Sequence, residues 1–484
     1  MSVLAVASEC VPLVKTGGLA DVVGALPRAL AAHGVAVCTL IPGYTPVMAA
    51  LGQGGREPRA ARVMRDLFGG PARIVPAAID GLDLLVLDAP HLFARQGGLY
   101  QDAAGTEWED NGVRFAALGA AAAFVAGGGL PGRKFDVLHA HDWQAGLAPA
   151  YLRFAARRLA SLFTIHNLAF QGKFPATLFP RLGLPAESFA TAGLEYYGGV
   201  GFMKAALWFA DHISTVSPSY AAEIMTSRFG MGLDGLLRGR EQVVSGIANG
   251  IDTDAWNPAT DGQLVARFDA ADPTPRAANR AALAAELGLD GSEQGPLFAF
   301  IGRLAWQKGI DLVLESIPAI AGSGGRLVIL GSGERELEER CRWAAGANPG
   351  RIAVFIGYSE RLARLLYGGA DAVLVPSRFE PCGLTQLIGL RYGALPIVAR
   401  TGGLADTVID ANQAALAAGT GTGFMAAPDD AAMLGQAIRR AAAAWREPAT
   451  WRRLQASAMA SDVSWRRSAG EYARLLRGLA QPRA

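Results

Sequence analysis

Asp371–Leu390 reads DAVLVPSRFEPCGLTQLIGL. Its first six residues, Asp371–Pro376, are an apolar run of the length of a buried strand. Its last part and the residue after it place Leu384, Leu387, Ile388 and Arg391 at helical spacing. Between them a short loop with one proline and one glycine turns the chain. A strand that passes through a loop into a helix is half of a βαβ unit. In open α/β sheets, ligands bind in the crevice outside the carboxyl ends of the strands. Glu380 sits in such a loop, ahead of a helix N-terminus, where anions and hydroxyl-rich ligands dock. A carboxylate there can accept hydrogen bonds from ligand hydroxyls or stabilise positive charge growing on a ring. By position alone it can equally be a capping carboxylate on a surface loop.

The same rhythm runs outward in both directions. Strands are expected at Val3–Ala7, Val35–Ile41, Phe135–Leu138, Ser161–Ile165, Ile213–Val216, Val243–Ile247, Leu297–Ile301, Arg326–Leu330, Ile352–Ile356 and Ala394–Ala399. Arg73–Ile79 and Leu82–Leu87 flank Asp80-Gly81, a hairpin signal. Helices are expected over Leu19–Leu30, over Gly199–Ala210 with Lys204 inside it, after Ser217-Pro218, and over Ile310–Ile320. A further amphipathic helix covers Trp465–Leu479. Ser217 suits an N-cap and Pro218 the first helical position. A chain of 484 residues is too long for one core; about one domain per 150 residues gives roughly three, and two large α/β lobes fit equally well.

Composition narrows the class. The chain is 51% hydrophobic and 18% charged, which argues for a folded globular protein. A net charge of +2 gives no sign of a nucleic-acid or membrane-surface partner. The four cysteines, Cys10, Cys38, Cys341 and Cys382, form no CxxC pair. Neither a zinc site nor a disulfide framework is indicated, and a reducing compartment is the simplest reading. The start, MSVLAVASECVPLVK, has no cationic region before its apolar residues and reads as a first strand, not a signal peptide. The uncharged run between Arg114 and Arg133 is mostly Ala and Gly, so a buried helix and its exit loop are expected there, not a membrane span. The protein is therefore expected to be cytoplasmic. Of the 45 cationic residues only five are lysine (Lys15, Lys134, Lys173, Lys204, Lys308), which marks each lysine as a position that uses a compact point charge.

Several strand ends carry chemistry. Gly17-Gly18 opens the first helix, where small residues let backbone N–H groups approach a phosphate, and Lys15 stands beside it. Tyr100 lies in an acidic, glycine-rich loop that suits a cleft wall. Phe135–Leu138 runs into His139-Ala-His141-Asp142-Trp143. HxHD invites a metal reading, but no third ligand nearby completes a site and close histidines need not share a face. His166-Asn167 closes the next strand. Arg303 and Lys308 stand five residues apart in the loop GRLAWQKG and can converge on one diphosphate, Arg as a fork and Lys as a point charge. Gly331-Ser332-Gly333 is a nucleotide-type turn, and Tyr358 can stack on a base. Thr401-Gly402-Gly403 is another small-residue turn. Asp252-Thr-Asp254 spells DxD, a metal–nucleotide motif elsewhere; in the linker-like IDTDAWNP a turn-forming role is expected.

Read together, SRFEPCGLTQ (Ser377–Gln386), KTGGLADV (Lys15–Val22) and GRLAWQKG (Gly302–Gly309) resemble the bacterial glycogen synthases. These are the starch-synthase-like branch of retaining glycosyltransferases with the two-lobed GT-B fold, and the resemblance runs from Val3 to about Trp465. It implies two Rossmann-like lobes with parallel sheets and an active-site cleft between them. The lobes would be residues 1–247 and 248–463, with 464–484 a helix returning to the first. It implies transfer of glucose from ADP-glucose to the non-reducing end of an α-1,4-glucan such as glycogen, with retention and without a metal or other cofactor. The resemblance assigns Glu380, Arg303, Lys308, His166 and Asp142 to catalysis. It assigns Lys15, Gly17, Gly18, Asp21, Tyr100, Asn167, Asn249, Gly331, Tyr358, Cys382, Gly383, Leu384 and Thr385 to substrate binding. Many relatives on this fold have a second glutamate eight positions after the first; here that position is Ile388, as in bacterial glycogen synthases. The residues themselves leave ADP and UDP open as donor nucleotide, and the role of Glu380 open between nucleophile, stabiliser and hydroxyl clamp. Two rival readings are a sister enzyme with another acceptor, such as glucose 1-phosphate, and a silent sugar-nucleotide-binding protein that docks on glycogen. The intact set Lys15, Arg303, Lys308 and Glu380 argues against silence. Cys382, near a helix start and cations, is a candidate for thiol labelling.

Overall fold

The computed structural model describes residues 1–52, 59–155, 159–290 and 295–481. The chain divides into two compact units, Met1–Asn249 with Trp465–Ala484, and Gly250–Ser464.

The first unit begins with β1 (Ser2–Val6), β2 (Ala36–Pro42), β3 (Arg62–Met64), β4 (Ala72–Ile79), β5 (Leu82–Asp88), β6 (Val137–His141) and β7 (Ala160–Ile165). Next, β8 (Lys173–Pro175), β9 (Glu195–Tyr196) and β10 (Gly199–Gly201) form a small antiparallel sheet of their own, and β11 (His212–Thr215) and β12 (Val244–Gly246) rejoin the main one. The main sheet runs β12-β11-β7-β6-β1-β2-β5-β4-β3. It is parallel from β12 to β5, and β4 and β3 add an antiparallel edge. Asp80 and Gly81, both at positive φ, make the tight β4–β5 turn that the sequence signals. Building starts at β1, grows outward through β2, then jumps back to β6 on the other side, so the strand order reverses between β1 and β6.

The helix Gly18–Ala31 buries Leu19, Val22, Val23, Leu26 and Leu30, the stripe its periodicity predicts. The Ala-rich run is a buried helix, Asn111–Phe124, with one wide turn to Gly129. Among the described residues, Asn111–Gly129 is the one helical stretch long and apolar enough to cross a membrane, and 72% of it is buried in the protein. Small residues let it pack close: a Cβ on Gly119 would lie 3.0 Å from the backbone nitrogen of Ala148. The helix Arg466–Ala480 belongs to this unit too. Trp465, Tyr472 and Leu476 are buried with Val3, Val22, Leu26, Leu30, Val137 and Leu162. Each such side chain contributes about 1.5–3 kcal/mol.

The second unit holds β13 (Leu297–Ile301), β14 (Arg326–Gly331), β15 (Ile352–Ile356), β16 (Ala372–Val375), β17 (Leu395–Ala399) and β18 (Phe424–Ala426). They form one parallel sheet in the order β15-β14-β13-β16-β17-β18. This is the doubly wound order of dinucleotide-binding folds, reversing between β13 and β16. The expected α/β class with two Rossmann-like sheets is what the chain adopts.

Three local expectations need correction. The strand expected at Phe135–Leu138 is β6, Val137–His141, so both histidines lie inside it. Their polar rings are admitted there because Thr164 on β7 and His166 just after it supply partners. Gly199–Gly201 is strand, and the helix starts at Phe202. A Cβ on Gly199 would lie 2.5 Å from the Phe174 carbonyl oxygen, so glycine serves close strand packing here. Ile310–Ile320 is two helices, Ile310–Glu315 and Ile317–Gly322. Pro318 lacks an N–H and its ring crowds the carbonyl four residues back, which breaks the ladder.

Candidate active site

The reversal in the second unit brings two loops together at the carboxyl ends of β13 and β16. The first is GRLAWQKG and the second begins at Ser377. Glu380 is 5% exposed. Its Oε2 accepts from Lys308 Nζ at 2.6 Å and from Ser377 Oγ at 2.8 Å. Glu380 is buried and Lys308 half-buried, so removing the lysine leaves a buried carboxylate with one partner fewer. Arg303 is exposed and donates to Gln307 Oε1 at 2.9 Å; Gln307 in turn donates to the Phe379 carbonyl at 3.2 Å. Arg378 locks the loops from beneath. It forks onto Asp311 at 2.9 and 2.7 Å, reaches Asp429 at 2.5 Å and the Trp306 carbonyl at 2.6 Å, and lies over the Trp306 ring. Those hydrogen bonds to Asp311 hold its guanidinium pKa above the ordinary value.

The neighbouring turn is fixed by contact. A Cβ on Gly331 would lie 1.8 Å from the Gly302 carbonyl oxygen, so the loops after β13 and β14 touch backbone to backbone. Gly357 N donates to the Gly331 carbonyl at 2.9 Å. The next residue, Tyr358, is 76% exposed. Gly383 takes a φ of 79°, which glycine adopts without strain. Leu384 and Thr385 open the helix Thr385–Tyr392, and Cys382 is buried, 5% exposed, which limits access of a labelling reagent.

In the first unit the reversal lies between β1 and β6, and the loops after those strands carry the polar groups. Glu9, 3% exposed, accepts from Thr16 N, from Thr16 Oγ1, from Gly17 N at 3.3 Å and from Tyr100 hydroxyl. One buried carboxylate thus pins the KTGG loop at one end and Tyr100 at the other. Lys15 pairs with Asp21 Oδ1 at 2.7 Å, both partly exposed. Gly17 caps the helix that starts at Gly18 in an extended conformation, and nothing lies within 4 Å of where its Cβ would be.

After β6, Asp142 adopts φ 56° and ψ 179°, an unusual backbone for a residue with a side chain. Its Oδ1 accepts from His166 N at 2.7 Å and from Asn167 N at 3.3 Å. Burial lifts its pKa to about 7, against the pull of those two N–H groups, and the nearby Glu9 charge adds to the rise. His139 and His141 share one face of β6, as residues two apart in a strand do. Their rings lie 4.0 Å apart. His139 Nε2 meets Thr164 Oγ1 at 2.7 Å, and His141 Nδ1 meets His166 Nε2 at 3.0 Å. Burial drives His141 down to about 3 and His139 and His166 well below the usual imidazole range, so all three are neutral. Among the described residues no group of three or more His, Cys, Asp or Glu side chains is arranged to hold a metal ion. Asn249 is buried and its Oδ1 has no hydrogen-bond partner among the described residues. The DxD segment is a turn: Asp252 Oδ1 accepts from Asp254 N and Ala255 N, both at 3.0 Å.

Residues 2–239 match the family model of the starch synthase catalytic domain, and residues 295–444 that of the glycosyl transferases group 1. A glycogen synthase of Bradyrhizobium diazoefficiens is 55% identical over 99% of this chain and 98% of its own length. The chain belongs to the glycogen synthase family. A second member, from Novosphingobium aromaticivorans, is also 55% identical, over 99% of both chains. Among solved structures, the catalytic domain of starch synthase IV from Arabidopsis thaliana, bound to ADP and acarbose, superposes with a TM-score of 0.89 at 31% identity, covering 99% of each chain. Sucrose-phosphate synthase from Thermosynechococcus elongatus shares the fold alone, with a TM-score of 0.60 at 19% identity.

As a member of the glycogen synthase family the chain is a glycosyltransferase, and the motifs that carried the resemblance fall at the two reversals. Within each unit the structure joins candidates the sequence could only name singly: Lys308 with Glu380, Asp142 with His166 and Asn167, Lys15 with Asp21. Glu9, Arg378 and His141 were missed as supports. Glu9 did leave a trace, an acidic residue at the end of the first apolar strand. Arg378 lies inside SRFEPCGLTQ, but its partners, Asp311 and Asp429, are remote in sequence and only the fold brings them to it.

Proposed function

We propose that this glycosyltransferase moves glucose from ADP-glucose to the non-reducing end of an α-1,4-glucan, with retention of configuration. The observation that carries the reading is the pairing of half-buried Lys308 with buried Glu380 at the strand reversal of the second unit, in a chain this similar to glycogen synthases throughout. Departure of the nucleotide puts negative charge on a phosphate oxygen. Arg303, Lys308 and the N–H groups of Gly383, Leu384 and Thr385 meet that charge; in the first unit, Lys15 beside Gly17 and Gly18 forms an anion-binding group of its own. Fixed donors in a water-poor site stabilise such charge without reorganising. Gly331 lets the backbone approach the nucleotide, Tyr358 offers its ring to the base, and Asn249 offers an unused acceptor. Glu380 faces the positive charge that grows on the glucose ring, as stabiliser or clamp. Lys308 holds that carboxylate in place.

In the first unit, Asp142 and His166 orient the glucosyl group. The Asp142 carboxylate freezes the His166–Asn167 backbone, and His141 fixes the ring of His166 in a neutral tautomer. Tyr100, tethered to Glu9, forms the wall beside them. The reading calls for no metal and no cofactor, and it sets the enzyme in the cytoplasm with glycogen. The choice of ADP is supported by the ADP carried by the similar starch synthase structure.

The test is nucleotide release from ADP-glucose and from UDP-glucose, with and without glycogen, by wild type and Glu380→Ala. Glycogen-dependent ADP release that falls a hundredfold or more in the variant, on the order of 3 kcal/mol, is expected. Equal turnover with UDP-glucose would overturn the donor. Turnover unchanged in Glu380→Ala would overturn the site. Donor binding without transfer to glycogen would point to another acceptor.

A further inference from the structure

Glu380, Cys382 and Gly383 belong to a segment that has three of its carbonyls held from inside the protein. Gly403 N donates to the Glu380 carbonyl at 3.0 Å. Gln386 Nε2 shares its two hydrogens among three acceptors within reach, the Cys382 and Gly383 carbonyls, both at 2.9 Å, and Thr407 Oγ1 at 3.2 Å. Gln386 is 0% exposed. Carbonyls only accept, so the amide must turn its NH₂ towards them. Its Oε1 is then left with no partner, and burying an unpaired acceptor is unfavourable. The protein tolerates that to keep the NH₂ where it is. Gly383 fits the same argument. A Cβ there would lie 2.3 Å from Gln386 Oε1. Gly403 packs as closely, since its Cβ would lie 2.4 Å from the Cys382 carbonyl oxygen.

A trans peptide places the C=O of one residue and the N–H of the next on opposite edges of one plane. Turning the Cys382 and Gly383 carbonyls inward therefore turns the N–H groups of Gly383 and Leu384 outward, at residues that are only half-buried. Consecutive outward N–H groups make an anion-binding concavity. We infer that Gln386 is a positioning residue for the transfer reaction: its side-chain amide sets the peptide planes that aim the Gly383 and Leu384 N–H groups at the nucleotide diphosphate, and with Gly403 it holds Glu380 against Lys308. This rests on the reading above that the segment meets a nucleotide diphosphate.

Gln386→Met keeps the volume and removes the donor. Folding is followed by thermal melting, and the site by ADP affinity in calorimetry with separate kcat and KM values. A folded variant that binds ADP at least about tenfold more weakly, with kcat down about thirtyfold and glucan KM unchanged, is expected. A folded variant whose ADP affinity and kcat stay within about twofold of wild type overturns the inference. Should Gln386→Met fail to fold, Thr407→Val removes the hydroxyl that props the amide. There an ADP affinity weakened about threefold is expected, and an unchanged one overturns it. If wild type itself does not bind ADP, the nucleotide reading of the crevice falls and the inference with it. Unaltered Gln386→Met on a wild type that does bind ADP overturns the positioning alone.

Discussion

Asp142 holds a strained backbone, two peptide N–H groups and a carboxyl whose charged form is disfavoured by burial. Its native pKa of about 7 stands above the usual value of 3.8. The folded state therefore holds the proton more tightly than the unfolded chain. Below about pH 4 both states are protonated and the group has no effect on stability. As pH rises from about 4 to about 7 the folded state loses ground, up to about 1.4 kcal/mol per pH unit. Asp142→Asn keeps the acceptor for His166 N and removes the charge. Its melting temperature relative to wild type is expected to climb between pH 4 and 7 and level off above, while transfer activity drops at every pH; a flat difference across that range would show that the carboxyl is not held protonated by burial. Glu9→Gln leaves only one acceptor oxygen for Thr16, Gly17 and Tyr100. Donor KM is expected to rise about tenfold, a loss typical of hydrogen bonds to a charged group, with kcat moved less. Asp142 and Glu380 were legible from sequence because each follows a strand in a distinctive motif. Glu9 and His141 were not, because their meaning lies in partners, Tyr100 and His166, that only the fold brings near.

Among the elements, strands and helices with a regular apolar period were readable, and what misled was polar or small residues inside them. β6 ends in His-Ala-His, which reads as loop until Thr164 on β7 and His166 after it are seen to pair with the rings. β10 is glycine and valine, without a periodic signal, and its place depends on the Phe174 carbonyl it packs against. Pro318 signals the helix break at Ser316, and the continuous apolar spacing of Ile310–Ile320 masks it. The turn after β14 gives the sharpest test at this scale. Gly331→Ala forces a methyl group onto the Gly302 carbonyl, 1.8 Å away. Both atoms belong to backbone, so neither can swing aside. Destabilisation at the upper end of overpacking effects, about 3 kcal/mol or more, is expected in urea titration, together with loss of ADP binding. A variant as stable as wild type would mean the two loops part easily.

At the scale of the molecule, the two units have separate cores, so unfolding is expected in more than one step. Tyr472, on the helix Arg466–Ala480, is fully buried in the first unit. Tyr472→Ala is expected to destabilise that unit by about 3–5 kcal/mol, the usual range for deleting a buried aromatic ring. Calorimetry would read it as a shift of the first unit's transition, and a shift confined to the other transition would place the helix wrongly. The same helix has a consequence for synthesis. The larger core of the first unit needs none of residues 465–481, but the smaller cluster around Val3, Leu26, Val137 and Leu162 cannot close until they leave the ribosome. All of Gly250–Ser464 is translated in between, which takes roughly 10–40 s at 5–20 residues per second. The half that is made first is thus finished last, and for that interval Val3, Leu26, Val137 and Leu162 wait uncovered for chaperones or for neighbouring nascent chains.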